Sequence, residues 1–109
     1  MSGVTIGDLS HRLRLEEPVR VADDGGGASE SFAPIAEIWA AVRARAGSER
    51  LVADGLAGHA THEVWIRFRA DVTPPQRFVE GDRILDIRAA LDVDGRRRWL
   101  RCLCEERLP

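Results

Sequence analysis

Residues Arg96 to Arg107 read RRRWLRCLCEER. Three structures are compatible with these letters: a basic aromatic patch for nucleic acid, a paired-cysteine metal or redox site, or a β-strand. Arginines and apolar residues alternate, which is the period of a half-buried strand. One face would carry Leu100, Cys102 and Cys104, and the other Trp99, Arg101, Leu103 and Glu105. The stretch is therefore predicted to be the last strand of the chain and not a continuous basic surface.

The two cysteines of this strand are the only ones in the chain. Residues two apart on a strand project from the same face, and this geometry disfavours a disulfide between Cys102 and Cys104. A structural zinc site needs four ligands, and His11, His59 and His62 have no metal-binding spacing that would complete one. The pattern favours buried structural thiols and predicts neither a metal nor a cofactor.

Turn signals divide the preceding chain into further strands. Asp94-Gly95 predicts the hairpin turn before the last strand, and Glu80 to Asp82 predicts the turn before RILDIRAALDV. Thr73-Pro74-Pro75 ends THEVWIRFRADV, whose alternation is the clearest in the chain. HRLRLEEPVRV forms the first strand, with Pro18 favouring an edge position or a bend. These signals indicate an all-β fold, a small β-barrel or sandwich of about six strands.

FAPIAEIWAAVRARAG, residues 32 to 47, is compatible with two structures. As a helix it would have Pro34 near its first turn and an apolar stripe of Ile35, Ile38, Trp39 and Val42. As a strand it would place Ala36, Ile38, Ala40 and Val42 on one side and Glu37, Trp39, Ala41 and Arg43 on the other. The pattern alone leaves both open.

Two segments have the composition of long loops. Residues 22 to 31, ADDGGGASES, are acidic and rich in Gly and Ser, and are predicted to be a solvated loop or arm. Residues 47 to 58, GSERLVADGLAG, could contain a short helix that Ser48 caps, with Glu49 in its first turn and Gly55 near its end. A turn of helix inside a long connection is typical of a functional loop.

Length and charge limit the function classes. A chain of 109 residues is enough for one domain, residues 1–109, and too short for two. Sixteen basic residues against 18 acidic ones give a net charge of -2 and a pI near 5.9, whereas autonomous nucleic-acid binders usually have a high pI. The first residues lack signal-peptide features, and no apolar run approaches the roughly 20 residues that span a bilayer. We expect no membrane contact and a cytosolic location where the chain is made.

Catalytic signals are weak. His59 and His62 stand without a nucleophile motif, a phosphate-binding loop or a paired-carboxylate signature. Asp92 and Asp94 resemble the start of a calcium loop but lack its downstream Gly and Glu, so we interpret them as turn residues. The sequence predicts a non-enzymatic protein without catalytic residues.

The three tryptophans fall on the polar phase of their strands. Exposed Trp beside Arg is the composition of an interface centre, so Trp39, Trp65 and Trp99 are candidate interface residues. Arg97 and Arg101, which flank Trp99, join them. We expect neighbouring subunits or partner proteins to cover at least two of the tryptophans. The alternative, that they cap the far side of the fold within one chain, stays open.

With these elements placed, the chain resembles the head-tail adaptor or head closure family of tailed phages, which is also found in bacterial gene transfer agents. The resemblance covers nearly the whole length. It rests on four blocks: GDLSHRLRLEEPVR, EIWAAVRARAGSER, ATHEVWIRFRADVTPPQRF and GDRILDIRAALDVDGRRRWLRCLCEE. It implies a small β-barrel or sandwich subunit and favours the strand for residues 32 to 45.

The resemblance also implies partners and a location. The subunit would form a ring, a hexamer or dodecamer, at the head-tail junction of a virion or gene-transfer-agent particle. Portal or adaptor proteins would lie on its head side, and a tail terminator or tail tube on its tail side. Double-stranded DNA would pass through transiently. Arg96 to Arg98 and Arg101 would pair with acidic residues of adjacent subunits rather than with DNA.

By the same resemblance, the two long loops have roles. The segment Gly47 to Gly58 matches the loop that narrows the channel, and its candidate residues are Ser48, Glu49, Arg50, Leu51 and Asp54. The first loop, with Asp23 and Asp24, would reach a neighbour or the adaptor ring. Two alternatives stay open: a neighbouring connector component, either adaptor or tail terminator, and a small nucleic-acid-binding β-barrel with aromatic pairs beside a basic groove.

Overall fold

The computed structural model describes residues 4–22, 25–45 and 60–107. Six antiparallel strands form a closed barrel in the order β1-β2-β3-β6-β5-β4. Their bounds are β1 His11–Ala22, β2 Ala28–Ala44, β3 His62–Arg67, β4 Arg77–Glu80, β5 Arg83–Asp92 and β6 Trp99–Arg107. The all-β prediction is confirmed, and the form is a barrel rather than a sandwich. Within the ranges above, no helix has the length and apolarity needed to cross a membrane.

Inward-facing residues of all six strands fill the barrel. The largest fully buried side chains are Phe78, Leu13, Leu15, Ile66, Leu85, Ile87, Val64, Cys102 and Cys104. In β6 the predicted inner face is confirmed, because Leu100, Cys102 and Cys104 all belong to this core. Leu103 is also buried, but it packs against Ala60 in a separate cluster. Both faces of β6 therefore contribute buried apolar surface.

The segment that was ambiguous between helix and strand belongs to β2. Ile38 and Ala40 are buried in the barrel, whereas Glu37 and Trp39 are exposed. β2 pairs with β1 as far as Ala40 and with β3 from there onward. A helix in this position would leave the facing backbone groups of both neighbours without partners, and buried backbone groups need partners. Tertiary pairing therefore selects the strand.

β1 and β2 continue beyond the barrel as a two-stranded ribbon. β1 pairs with β4 only as far as Glu16, whereas its pairing with β2 extends to Ala22 opposite Ala28. We call the ribbon, residues 17–22 and 28–33, the arm. Pro18 lies where β1 has lost β4 as a neighbour, so its predicted edge position is confirmed.

The arm also corrects the predicted loop at residues 22 to 31. β1 runs to Ala22 and β2 begins at Ala28, so the strands occupy part of the predicted loop and the connection is shorter. Ser29 and Ser31 pair with the two valines of β1, Val21 and Val19. Cross-strand pairing overrides the weak strand propensity of Ala and Ser.

The arm and the β5–β6 turn leave the barrel at the same end. β3 ends at Arg67, which pairs with Trp99 at the start of β6. β2 is antiparallel to β3, so its first half lies at this end as well. At the opposite end Ala44 pairs with His62, and these residues flank the segment 46–59, which is outside the described ranges.

Candidate functional site

Arginine and tryptophan alternate across the outer face of four adjacent strands. Arg12 on β1 pairs in register with Trp39 on β2, and Arg67 on β3 pairs with Trp99 on β6. The Arg12 guanidinium lies 5.5 Å from the centroid of the Trp39 ring, and the Arg67 guanidinium lies 5.6 Å from that of Trp99. Cation–π attraction operates at these distances. We call these four residues the Arg–Trp row.

Trp39 is the most exposed member of the row, with 52% of its surface open. It lines a pocket of about 400 Å³ together with Ile6, Leu9 and Ile38, and Arg67 lines the same pocket. Ile6 is itself 66% exposed. Grouped exposed apolar side chains beside arginine characterise interaction surfaces. The geometry thus supports Trp39 as a candidate interface residue.

Trp65, by contrast, is covered within the chain. It is 5% exposed and packs outside the barrel with Val4 and Ala41. Its indole Nε1 donates a hydrogen bond to the Glu63 carboxylate at 3.1 Å. Trp99 is half-buried at the edge of the same cluster. Trp65 is therefore covered within one chain, by the segment before β1.

The β5–β6 turn carries three consecutive exposed arginines, Arg96–Arg98, which we call the basic turn. The backbone N–H of Arg97 donates to the Asp92 carboxylate at 3.1 Å. Among the described residues, neither these three side chains nor those of Arg67 and Arg101 have a carboxylate partner. The arginines that do have one are Arg12, Arg14, Arg45, Arg69, Arg77, Arg83, Arg88 and Arg107.

The remaining candidate residues lie outside the described ranges. They are the channel-loop candidates Ser48, Glu49, Arg50, Leu51 and Asp54, and the arm candidates Asp23 and Asp24. The short helix predicted in the same loop lies there too. The flanks of that loop are defined, because the Arg45 N–H donates to the Thr61 carbonyl at 2.8 Å. The loop therefore begins and ends on neighbouring strands.

Two histidines lie beside carboxylates at the barrel end opposite the arm. His11 Nδ1 lies 2.9 Å from Glu80, and His62 Nε2 lies 3.6 Å from Glu106. Burial lowers the pKa of His62, and the attraction of Glu106 acts in the opposite direction. In the part of the chain that the structure describes, no three His, Cys, Asp or Glu side chains group as a metal site. These contacts link strand ends to one another.

The cysteines are packing residues. Both are free and fully buried in the barrel, as predicted. Burial raises the pKa of Cys102 to about 12 and raises that of Cys104 well above its ordinary value. A thiolate is the reactive form of cysteine, so both side chains are inert in the folded chain.

Thiol labelling should show this directly. At pH 8 a thiol with a pKa of about 12 carries roughly a thousandfold less thiolate than an ordinary one. We expect negligible reaction with Ellman's reagent in the native chain and release of two equivalents in guanidinium chloride. The exposed variant Ser31→Cys is the positive control and should react with one equivalent at once. Rapid native labelling of two thiols in the wild type would contradict the buried assignment.

A buried ion-pair node at the base of the arm was missed by the sequence patterns. Glu16 is 6% exposed and accepts hydrogen bonds from Arg14 Nε at 2.6 Å and Arg77 Nε at 2.8 Å. Arg77 in turn lies 3.7 Å from the ring centroid of Phe32 on the arm. Burial alone would raise the pKa of Glu16, but the two hydrogen bonds and the positive charges of Arg14 and Arg77 together outweigh it, and the pKa is lowered. Glu16 lies on the same outer face of β1 as Arg14 and opposite Arg77 of β4, as alternation places it, so these neighbouring side chains account for its burial.

These features define a class of protein, a small closed β-barrel with an extended arm and with exposed aromatic and basic side chains. Such surfaces are typical of proteins that assemble with other proteins. The family model of phage head completion proteins matches residues 4–107. The chain therefore belongs to the phage head completion protein family and is a structural component of a phage-type particle. The resemblance seen in the sequence is confirmed.

Two solved structures are similar to this chain. A protein of Shigella flexneri 2a, solved in solution, is 27% identical with a TM-score of 0.73, and the match covers 94% of this chain and 96% of that one. A chain from the virion of a native gene transfer agent particle is 35% identical with a TM-score of 0.68, covering 93% and 97%. A comparison with curated proteins found no match.

Proposed function

We propose that this chain forms a ring at the head-tail junction of a phage or gene-transfer-agent particle and completes the head around the channel for double-stranded DNA. The family match over residues 4–107 carries the proposal. The similar structure from a gene transfer agent virion supports a place in such a particle. The ring would contain six or twelve copies of the chain.

The fold supports a connector with two working ends. The arm and the segment 46–59 leave the barrel at opposite ends, so one subunit can contact different proteins at each end. The partners on the head side would be portal or adaptor proteins, and those on the tail side a tail terminator or tail tube. By the family resemblance, residues 47–58 would line or narrow the channel, and Ser48, Glu49, Arg50, Leu51 and Asp54 are the candidate residues of this loop.

The charge distribution supports passage of DNA rather than its retention on the protein. The chain has a net charge of -2, and more than half of its described arginines are paired with carboxylates. Each arginine-phosphate contact strengthens binding at low salt, so a channel with few of them lets DNA slide. A nucleic-acid-binding barrel is the second candidate, because Trp39 is exposed beside Arg12 and Arg67. Tight, salt-sensitive binding of single strands by the isolated chain would favour that candidate.

Removing the chain tests the proposed function. We expect cells that lack the chain to produce filled heads without tails, and these heads should lose their DNA on purification. A supplied copy of the wild-type chain should restore tailed particles. DNA per particle and negative-stain images are the measurements. Tailed, DNA-retaining particles in its absence would contradict the proposal.

Cryo-electron microscopy of the wild-type junction separates the connector positions. A ring of this chain between the adaptor and the tail would support head closure. A ring directly on the portal would identify an adaptor, and one at the top of the tail tube a terminator.

A further inference from the structure

We infer that, in the ring of the proposed function on which this inference rests, the arm of each copy docks on the Arg–Trp row and basic turn of the next copy. The occupant of the exposed surface is therefore a second copy of this chain.

Opposite charges are segregated on the two surfaces. In the sequence, residues 17–31 have four carboxylates and one arginine, a net charge of -3; Glu17 and Glu30 are on the described arm, and Asp23 and Asp24 lie outside the described residues. Residues 92–101 together with Arg67 have five arginines and two aspartates, a net charge of +3. Potentials of opposite sign steer two surfaces together and fix their register. The whole chain is close to neutral, so this separation is a local property of the two regions.

The charges are also available to a partner. Glu17 and Glu30 on the arm are exposed and have no ion-pair partner among the described residues. The basic turn and Arg67 are likewise exposed and without a carboxylate, whereas most other arginines of the described ranges are neutralised by neighbours on the same chain. Charges that a chain leaves unpaired on its surface are the ones that an adjacent copy can pair.

Packing favours the same contact. An isolated two-stranded hairpin is marginally stable in water, and a third layer or strand stabilises it. The arm has Val19 exposed, and the Arg–Trp row presents Trp39 beside a pocket that Ile6 and Leu9 line. Docking would bury apolar surface on both sides while the charges pair around it. This is the usual anatomy of an interface, with an apolar centre and a polar rim.

Symmetry then leads to a ring. The arm and the basic surface are different regions of the same chain, so their contact is heterologous, and a heterologous contact that closes produces a ring. Both regions lie at the same end of the barrel. In a ring around one axis all barrels point in the same direction, so the arm of one copy and the basic surface of the next lie at the same end of the ring.

Charge reversal tests the contact in assembled particles. One variant, Arg96→Glu with Arg98→Glu, reverses the basic turn, and a second, Glu17→Arg with Glu30→Arg, reverses the arm. All four positions are exposed, and thermal unfolding checks that each variant folds. Supplied to cells that lack the chain, each variant should be incorporated into particles at least about tenfold less than wild type, because like charges then face each other.

Combining the reversals should restore assembly. A chain with all four substitutions presents a basic arm to an acidic turn, and its incorporation should return toward the wild-type level. A mixture of the two double variants should also assemble if the variants alternate around the ring. Every second contact then has an acidic arm on a basic turn, and the contacts between them have a basic arm on an acidic turn. Normal incorporation of either double variant alone, or failure of the four-substitution chain to recover, would overturn the inference.

Crosslinking identifies the occupant. The wild-type cysteines are buried, so Ser31→Cys with Arg98→Cys gives two reactive positions on the arm and the basic turn. A bismaleimide should link particle-bound copies into a ladder of multimers, and either cysteine alone should give no species larger than a dimer. A link from the arm to a different virion protein would overturn the inference. Charge-reversed chains that still form an intact ring but lose the packaged DNA would also overturn it. If the wild-type chain itself is absent from the junction, the proposed function fails and the inference falls with it.

Discussion

Replacing Trp65 by alanine is expected to lower the free energy of unfolding of the isolated chain by about 3 to 5 kcal/mol, the usual cost of truncating a buried tryptophan. The Trp65 side chain is 5% exposed and packs with Val4 and Ala41, and its indole N–H donates a hydrogen bond to the Glu63 carboxylate. Truncation would leave a cavity beneath the segment that precedes β1 and remove a hydrogen bond. Urea unfolding at a concentration where the chain is monomeric is the measurement.

Trp39 is the matched control for this substitution. It is the same residue type on the same barrel face, but 52% of its surface is exposed. Trp39→Ala should change the free energy of unfolding by about 0.5 kcal/mol, as for most surface positions, and should act instead on incorporation into particles. Equal losses of stability at both positions would contradict the division of the tryptophans into one that packs within the chain and one that faces a partner.

Replacing Glu16 by glutamine is expected to cost about 2 to 4 kcal/mol at pH 7, because charge-assisted hydrogen bonds to a buried group are lost and Arg77 keeps its charge without a counter-ion. Glu16 accepts from both Arg14 and Arg77, and Arg77 lies against Phe32 of the arm. The substitution keeps the side-chain volume, so the loss of unfolding free energy is due to removal of the carboxylate charge. Incorporation into particles should fall as well, since the node anchors the arm.

The pH dependence of this effect has a defined sign. The folded-state pKa of Glu16 is lowered from its ordinary value of 4.5. A lowered carboxylate pKa stabilises the fold above the unfolded-state value, and this contribution is lost as the pH falls through the folded-state value. The difference in unfolding free energy between wild type and Glu16→Gln should therefore be constant above about pH 5.5 and shrink below pH 4.5. A difference in unfolding free energy between wild type and Glu16→Gln that stays constant down to pH 2 would contradict the lowered pKa of Glu16.

Glu17 provides the control for Glu16. It is the next residue in the chain and also a glutamate, but it is exposed on the arm and has no ion pair among the described residues. Glu17→Gln should change stability by no more than about 0.5 kcal/mol at any pH.

The candidate site was only partly accessible to sequence patterns. Period-two alternation assigned Trp39, Trp65 and Trp99 correctly to the outside of their strands, because successive side chains of a strand face opposite ways. It could not distinguish Trp39 from Trp65, since a separate segment at the start of the chain covers one and not the other. The Arg–Trp row requires knowledge of which strands are neighbours and in what register, and neither is encoded in a local pattern.

Local chemistry in the chain was sufficient for the all-β class, for most strands and turns, and for the inner face of β6. Alternation and the Gly and Pro signals at the turns depend on the residues themselves, so they are readable without a fold. The family was also readable, from the order of its sequence blocks. Tertiary structure decided that residues 32–44 form the strand that the family resemblance favoured, that Glu16 is buried between Arg14 and Arg77, and that the arm extends beyond the barrel. Each of these depends on pairing between residues far apart in the chain, where backbone hydrogen bonds and burial outweigh local preference.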